Sequence, residues 1–574
     1  MCNSPRTPRR VPGGFYFPTI FLYIISLFIF SFSFPVPPAC QASTADRPGS
    51  TAEYYYQNGF DELDAPAVKA WVDSIDLNAT ADAAPVLFDE PVSGSLYPPD
   101  MASPGFLWSS RRDETGIWLL QFSTRNGIFH ILVDRAWWVP SKARWAVFKR
   151  HAGFEPVRLK VYGIGGWSRR EVVAKGQTVF SISPDPVASK IAFVRKPLPF
   201  SKAKQNPQLS KLLLADLSSY GAPSILLKNQ KTCFNCHGFS SARSVFGLDM
   251  DIGGDKGGYI FKPFRAGNNW VVNTDVISWN DLPAPPPATT NMGLFARPSP
   301  DGRFVAATIG ESSVFVMLED LYFSQLFFPA TGQIACYDRS RREIFSLQGA
   351  DLEDYIQTGP AWSPDGETVF FSRARIRREL IEAIESGQVR NESNRQGIDA
   401  LNRKYPIQFD IYQLPFNLGK GGTARPLTGA AGNGWSNYFP RVSPDGRWIV
   451  FTQSPTGMVL QPESRLAIVP SHGGDAGVLD CKTTVMNSWH SWSANGKWLA
   501  YSSKVQSPFT EIFLTHIDDA GHASPAIRLF RLSSPDAAAM VPEFVGPKTL
   551  PLESLQIKCA RLISSGPVSG NVSQ

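Results

Sequence analysis

The chain has 574 residues, which is long enough for two domains that each bury a core. Its formal net charge of +6 is modest and comes partly from arginines near the N-terminus. No basic stripe runs along the sequence, so the composition argues against a protein that binds nucleic acid through surface charge.

The first 42 residues have the pattern of an export signal. Three arginines precede a long apolar run over residues 20–34, and small residues follow it. We therefore predict a signal peptide over residues 1–42 and a protein that works outside the cytoplasm. An uncleaved membrane anchor and a lipid-modified N-terminus at Cys40 are the alternatives, although the residues before Cys40 lack the leucine of a lipobox.

Residues 53–170 differ in composition from the rest of the chain. They are rich in tryptophan, and apolar residues alternate with polar ones over 117–122, 129–133 and 157–162. This pattern predicts a β-sandwich-like N-terminal domain over residues 53–170, with most of the tryptophans in its core.

A short hairpin motif recurs after this region. Ser-Pro-Asp-Gly occurs at residues 299–302, 363–366 and 443–446, and Ser-Ala-Asn-Gly occurs at 493–496. Each copy lies between a short strand and a second strand of aromatic and β-branched residues, with glycine at the position that needs a positive φ. Recurrence at intervals of tens of residues is typical of a β-propeller.

Two weaker copies complete a set of six. One is Ile-Ser-Pro-Asp-Pro at residues 182–186, and the other aligns residues 237–246 with residues 490–499. The residues that end the first strand of each copy are then Ile182, Phe239, Pro298, Trp362, Val442 and Trp492. Six copies predict an all-β, six-bladed propeller over residues 171–545, followed by a tail over 546–574.

The longest gap between copies contains a charged stretch at residues 374–385. Leu380, Ile381 and Ile384 are spaced along it as on one face of an amphipathic helix. Two interpretations are open: a lid on one blade, or a solvated surface insertion.

Residues 233–237 read Cys-Phe-Asn-Cys-His, which is the attachment signature of a c-type haem. In that interpretation Cys233 and Cys236 form thioethers to the haem, and His237 is the proximal iron ligand. A zinc site would need further ligands nearby, and a redox Cys-x-x-Cys pair would need a βαβ setting; the sequence has neither. We therefore predict one covalently bound haem c, with the glycine-rich turn at 253–258 close to it.

Three further cysteines, Cys336, Cys481 and Cys559, follow the motif. Their odd number leaves at least one without a partner in the chain. The sequence does not indicate any pairing among them.

The repeat alignment also suggests a distal iron ligand. His237 and His490 stand two residues before the aligned aromatic residues of their copies, Phe239 and Trp492. The other four copies have Phe180, Ala296, Pro360 and Pro440 at this place. We expect these positions to begin the innermost strands, so that blades two and six present their histidines to one haem from two sides. His490 is therefore the predicted distal ligand; Met486 is an alternative, and a hydrogen-bonded His490 beside an open iron is a third interpretation.

The hairpins resemble the PD40 repeats of TolB-like six-bladed propellers. Longer stretches at residues 405–410, 436–451, 486–493 and 513–518 resemble a group of exported bacterial TolB-like proteins that carry Cys-x-x-Cys-His in one blade. The likeness runs from about residue 90 to about residue 545, and residues 240–243 depart from the hairpin turn. It implies a haem-bearing propeller in the periplasm or on the outer surface of a Gram-negative bacterium, similar in architecture to the propeller of the hydrazine synthase alpha subunit.

The function that these features favour is electron transfer by a mono-haem cytochrome with an unidentified redox partner protein. One alternative is an enzyme that acts on a small molecule at an open haem iron. Another is a TolB-like interaction scaffold with a structural haem. The sequence places no Ser-His-Asp set and no paired carboxylates together, so no catalytic residue outside the haem is predicted.

Overall fold

The computed structural model describes residues 52–58, 64–78, 82–111, 115–240, 245–263, 269–285, 288–315, 319, 321, 326–389, 395–545 and 554–559. The predicted signal peptide, Cys40 and most of the predicted tail lie outside these ranges. The described residues belong to one compact unit. None of its described helices is both long enough and apolar enough to cross a membrane.

The N-terminal part of the chain forms a nine-stranded mixed sheet with two helices. In chain order its elements are β1 (Ala52–Asn58), α1 (Ala65–Asp73), β2 (Ala84–Glu90), β3 (Ser95–Tyr97), β4 (Phe106–Ser110), β5 (Ile117–Thr124), β6 (Gly127–Val133), β7 (Trp137–Trp138), α2 (Lys142–Ala152), β8 (Val157–Ile164) and β9 (Val172–Ile182).

Both faces of this sheet are covered. Strand β5 shows this, because its successive residues point to opposite sides. Leu119 packs with the apolar side of α1, and Leu120 packs in a second cluster with α2. On the second face β4 and β7 curl over the sheet, so that the rings of Phe106 and Trp138 lie 5.2 and 5.6 Å from the ring of Phe122. The region is therefore a single curled sheet with two packed helices that the sequence analysis did not predict, and its description as a β-sandwich-like domain stays a prediction. Its division from the rest of the chain at residue 170 stays a prediction.

The remaining described strands form the propeller. The first half of the chain order is β10 (Lys190–Pro197), α3 (Phe200–Gln205), β11 (Lys211–Asp216), β12 (Ser224–Leu227), β13 (Phe234–Phe239), β14 (Val245–Met250), β15 (Gly258–Pro263), β16 (Trp270–Val271), β17 (Val276–Ser278), β18 (Leu294–Pro298), β19 (Phe304–Phe315), β20 (Phe327–Asp338), β21 (Glu343–Ser346), β22 (Tyr355–Trp362) and β23 (Thr368–Arg375). The second half is α4 (Arg378–Glu385), α5 (Arg395–Lys404), β24 (Asp410–Pro415), β25 (Arg425–Pro426), β26 (Ser436–Val442), β27 (Trp448–Ser454), β28 (Arg465–Pro470), β29 (Gly477–Val478), β30 (Ser488–Trp492), β31 (Trp498–Ser503), β32 (Glu511–His516), β33 (Ile527–Arg528), β34 (Ala537–Val545) and β35 (Gln556–Ile557).

These strands make six four-stranded antiparallel blades, as the sequence repeats predict. From the innermost strand outward the blades are β34-β10-β11-β12, β13-β14-β15-β17, β18-β19-β20-β21, β22-β23-β24-β25, β26-β27-β28-β29 and β30-β31-β32-β33, numbered one to six in that order. The short strands β16 and β35 pair with each other outside the blades.

The hairpin turn follows the same chemistry in five blades. In blade three the amide of Ser299 donates to the Phe304 carbonyl (2.8 Å), and the Ser299 hydroxyl accepts from the Phe304 amide (2.9 Å). Ser240, Ser363, Ser443 and Ser493 make the same two bonds with the residue five places later. Ser240 follows the Cys-x-x-Cys-His strand, so its participation confirms that this segment is a repeat of the propeller.

The copy at residue 182 is placed differently from the prediction. Ile182 ends β9 in the N-terminal sheet, and the C-terminal strand β34 provides the innermost strand of blade one. In that blade Phe544 pairs with Ile191, as Pro298 pairs with Val305 in blade three. The physical reason is closure of the ring, because the last strand of a propeller completes the first blade by pairing with its second strand.

The predicted helical insertion in blade four is packed rather than solvated. Helix α4 covers residues 378–385 and α5 covers 395–404, and Leu380 is fully buried. It belongs to a cluster that also contains Leu460 and Met486 of the following blades. The insertion therefore supports one end of the propeller.

The three cysteines outside the motif are unpaired buried thiols. Cys336, Cys481 and Cys559 belong to three different apolar clusters, which explains why none of them pairs with another.

A buried carboxyl group joins the N-terminal sheet to blade six. Glu90 accepts hydrogen bonds from the Tyr97 hydroxyl and from the Arg528 amide, each at 3.1 Å. Burial outweighs these bonds and raises the pKa of Glu90 to about 8.

We expect this carboxyl to make stability depend on pH. A raised pKa in the folded state means that the unfolded chain loses its proton first, so the stability contributed by Glu90 is present below about pH 4.5 and declines up to about pH 8. Urea unfolding of the wild type should show this decline, and Glu90→Gln should reduce it. The exposed Glu367→Gln is the matched control. A wild type and a Glu90→Gln variant with the same pH profile would contradict the assignment.

Candidate functional site

The Cys-x-x-Cys-His segment lies on β13, the innermost strand of blade two. Its pairing with β14 is interrupted between Phe234 and His237, so the intervening residues bulge out of the ladder. As a result Cys233, Asn235 and Cys236 all line one cleft.

This cleft lies at the end of the propeller where the innermost strands begin, and its open volume is about 1550 Å³ with the solvent at its mouth included. Most of its wall is aliphatic or aromatic: Val194, Phe200, Met292, Leu294, Phe295, Phe315, Leu326, Phe327, Leu460, Trp489, Met540 and Val541. These residues come from blades one, two, three, five and six or from the loops beside them. An apolar cleft with aromatic walls suits a large flat ligand.

The wall beside the two cysteines is polar. It is lined by Lys196, Asn235, Asp249 and Asp251, and by two lysines nearer the mouth, Lys204 and Lys256. The Lys196 ammonium is buried and donates to the Asn235 amide oxygen. Burial lowers the pKa of Lys196 and raises that of Asp249. The sequence analysis missed this group because its members come from three separate strands.

The two thiols are not activated. Burial raises the pKa of Cys233, and it raises the pKa of Cys236 to about 12. Reactive cysteines of redox Cys-x-x-Cys pairs have lowered pKa values, so the environment disfavours that interpretation of the motif.

His237 does not line the cleft. Its ring is fully buried on the far side of β13, and neither ring nitrogen has a hydrogen-bond partner among the described residues. Burial lowers its pKa to about 4, against smaller opposing effects of Glu543 and of the Ala192 main chain on β10. The imidazole is therefore neutral at pH 7, which is the form that binds metals.

His490 occupies the equivalent place in blade six. Its Nε2 lies 2.9 Å from the carbonyl oxygen of Val450, and burial lowers its pKa to about 4. Val450 and Ala192 occupy equivalent places in their blades: Val450 pairs with Arg441 in blade five, and Ala192 pairs with Glu543 in blade one. Each histidine therefore packs against the second strand of the blade before it.

Neither predicted distal ligand lines the cleft. The His490 ring is turned toward blade five, and Met486 is buried in the cluster that holds the insertion. The residue predicted to be equivalent to these histidines in blade one was wrong. Phe180 lies in the N-terminal sheet, and Pro542 of β34 takes that place. All these positions lie near the ends of the innermost strands, not at their beginnings.

A buried ion triad crosses the propeller axis next to the two histidines. Glu543 Oε1 lies 2.5 Å from Arg297 and 2.9 Å from Arg441. Arg297 also donates to the His237 carbonyl (3.1 Å), and Arg441 donates to the His490 carbonyl (3.3 Å). Glu543 thus connects blades one, three and five and fixes the main chain at both histidines. The three triad residues occupy equivalent ladder positions, since Arg297, Arg441 and Glu543 pair with Ala306, Val450 and Ala192 in the second strands of their blades. The sequence alignment contained the two arginines but not Glu543, because it used the copy at residue 182 for blade one.

No family model matches the chain, and no curated protein matches it. Among solved structures it is similar to TolB from Acinetobacter baumannii, at 15% identity and a TM-score of 0.39 over 68% of this chain and 79% of that one. It is also similar to an oligogalacturonate lyase from Vibrio parahaemolyticus (9%, TM-score 0.30, 54% and 84%) and to Kuenenia stuttgartiensis hydrazine synthase (11%, TM-score 0.28, 54% and 71%). At this level the similarities concern the propeller fold alone.

The triad generates a stability prediction. Glu543→Ala leaves two mostly buried guanidinium groups without their carboxylate, so the free energy of unfolding should fall by about 3–5 kcal/mol. Urea unfolding measures this change. Glu543→Gln keeps an acceptor for one arginine and should cost less. A Glu543→Ala variant within about 0.5 kcal/mol of the wild type would show that the triad does not hold the ring.

Proposed function

We propose that this protein is an exported c-type cytochrome whose single haem is bound in the cleft through Cys233 and Cys236 and transfers electrons to a redox partner protein. The observation that carries the proposal is that both thiols of a Cys-x-x-Cys-His segment line the same large, aromatic-walled cleft. A bound haem supplies an iron that changes between the ferrous and ferric states.

The residues present fit this group. A haem is broad, flat and apolar with carboxylates on one edge, and the cleft has apolar and aromatic walls with lysines near its mouth. His237 directly follows Cys236 and has two ring nitrogens without hydrogen-bond partners among the described residues. Its ring lies behind β13, so its proposed role as proximal ligand requires the main chain of β13 at His237 to change conformation, because rotation of the side chain alone leaves the ring on the same face of the strand.

His490 is the proposed distal ligand, and Met486 is the alternative. For His490 to ligate iron through Nε2, the hydrogen bond between that atom and the Val450 carbonyl oxygen must break. The position of His490 and Met486 outside the cleft wall favours a second candidate function, in which the sixth iron position is open and a small molecule reacts there. A TolB-like interaction scaffold with a structural haem is the third.

The proposed location is the periplasm or the outer surface of a Gram-negative bacterium. The support is the export pattern of residues 1–42 and the attachment of c-type haem on that side of the membrane. A tether through the N-terminus or through a lipid on Cys40 belongs to the same proposal.

Removal of the thiols tests the cofactor. The double variant Cys233→Ala, Cys236→Ala should carry no covalent haem, because each cysteine supplies one thioether. Peroxidase-stained denaturing gels measure this directly, and Cys336→Ala is the matched control with an unrelated buried thiol. Haem staining that persists in the double variant, or that is absent from the wild type, would contradict the proposal.

The visible spectrum tests the distal ligand. If His490 ligates iron, the wild type is six-coordinate and low-spin, and His490→Ala should shift the spectrum toward high-spin and allow the ferrous protein to bind CO. Met486→Ala should leave the spectrum unchanged. Loss of the low-spin spectrum in Met486→Ala alone would transfer the role to Met486. A wild type that already binds CO fully would favour chemistry at an open iron.

A further inference from the structure

Two exposed lysines, Lys204 and Lys256, line the cleft, and three more exposed lysines lie in connections of blades one and two. Lys202 and Lys204 lie on α3, Lys228 and Lys231 lie in the loop that leads into Cys233, and Lys256 lies in the turn between β14 and β15. We call these five residues the lysine rim. Two of these connections bring a lysine to the cleft itself, and the third leads directly into Cys233.

The rim charges are not neutralised by neighbouring carboxylates. Within the part of the chain that the structure describes, no rim lysine has an ion pair within 4.0 Å, whereas Lys497 and Arg447 on blades six and five both pair with Asp519. The charge of Lys256 lowers the pKa of Asp251, but the two side chains form no ion pair within 4.0 Å. The Asp255 carboxylate accepts hydrogen bonds from the Ser278 hydroxyl and the Asn280 side-chain amide. Two carboxyl groups, Asp249 and Asp251, also line the cleft, but Asp249 is buried and Asp251 is half-buried, whereas Lys204 and Lys256 are exposed. The exposed charges of the cleft lining are therefore positive, and they attract anionic surfaces.

The rim lies directly over the proposed attachment site. Lys204 and Lys256 line the cleft together with Cys233 and Cys236, and the charge of Lys204 acts on the Cys233 thiol. The exposed Phe315 lies on the same cleft wall, and the remaining apolar lining lies deeper. A partner that reaches the cofactor through this mouth must therefore approach the lysines.

We propose that the lysine rim is the docking face for a redox partner protein with an acidic surface. The inference rests on the proposed function, because an electron acceptor or donor must bring its own redox centre to the cleft. A small anion would be held by converging buried donors, whereas the rim side chains are exposed and spread over three connections. A bilayer carries no redox centre, so an acidic protein is the occupant that the arrangement fits. Redox encounters are typically small, polar and steered by charge.

Binding to a polyanion tests the rim without reference to the cofactor. Fluorescein-labelled poly-L-glutamate, followed by anisotropy, should bind the wild type at low salt and dissociate as NaCl is added. Lys204→Glu, Lys256→Glu should weaken binding by about ten-fold or more, and Lys204→Gln, Lys256→Gln should weaken it less. The matched control is Lys142→Glu, Lys420→Glu, which changes the net charge equally at two exposed lysines on α2 and in blade four. Equal effects of the rim and control variants would overturn the proposal, as would tighter binding to phosphatidylglycerol vesicles than to poly-L-glutamate.

Electron exchange with small reagents tests whether the same face serves the haem. Oxidation of the ferrous protein by ferricyanide should slow by several-fold in the rim variant, while oxidation by the cationic tris(phenanthroline)cobalt(III) complex should become faster. The control variant should show neither change. Identical rates in the rim and control variants would overturn the proposal. Absence of covalent haem would instead contradict the proposed function, and poly-L-glutamate binding in the Cys233→Ala, Cys236→Ala variant would still decide whether the rim binds acidic surfaces.

Discussion

The pairing of β34 with β10 is the interaction on which the architecture depends. The ring is closed by the main-chain ladder between β34 and residues 190–197 of β10. The same strand places Glu543 between Arg297 and Arg441. Without β34 blade one would lack its innermost strand, two arginines would be buried without a counter-charge, and the cleft would lose Met540 and Val541. Ring closure, charge compensation and the cleft wall are therefore contributions of one strand.

The cleft owes its shape to differences between blades that share one hairpin. The bulge in β13 contains Asn235 and Cys236, which line the opening with Cys233 just before the strand, while the insertion of blade four packs with Leu460 of the cleft wall. Deviations from the repeat, and not the repeat itself, thus create the ligand-sized space. The same holds for charge, because the lysines of blades one and two stand in connections that vary between blades, whereas the serine hydrogen bonds of the hairpin recur in five blades.

The local part of this structure could be predicted from the sequence, and the non-local part could not. Ser-Pro-Asp-Gly encodes its own turn through the serine hydroxyl and a positive-φ glycine, so the hairpins of five blades followed from the residues alone. Ile182 carries the same signature, but its strand joins the N-terminal sheet because the ring is closed from the far end of the chain. Similarly, the alignment placed His490 correctly along its strand, whereas the direction of its ring depends on the Val450 carbonyl of another blade. The lysine, asparagine and aspartate beside the thiols meet only in three dimensions and left no pattern in the sequence.

Closure by β34 also sets an order of events in time. The thiols at 233 and 236 are synthesised more than three hundred residues before Met540, Val541 and Glu543, which complete their surroundings. During synthesis the chain therefore passes through a stage in which the cysteine strand exists but the pocket does not. At that stage both sulfur atoms can be reached from a side that β34 later covers. For the proposed cytochrome this means that the haem can be joined to the strand at that stage and enclosed afterwards, when the ring closes.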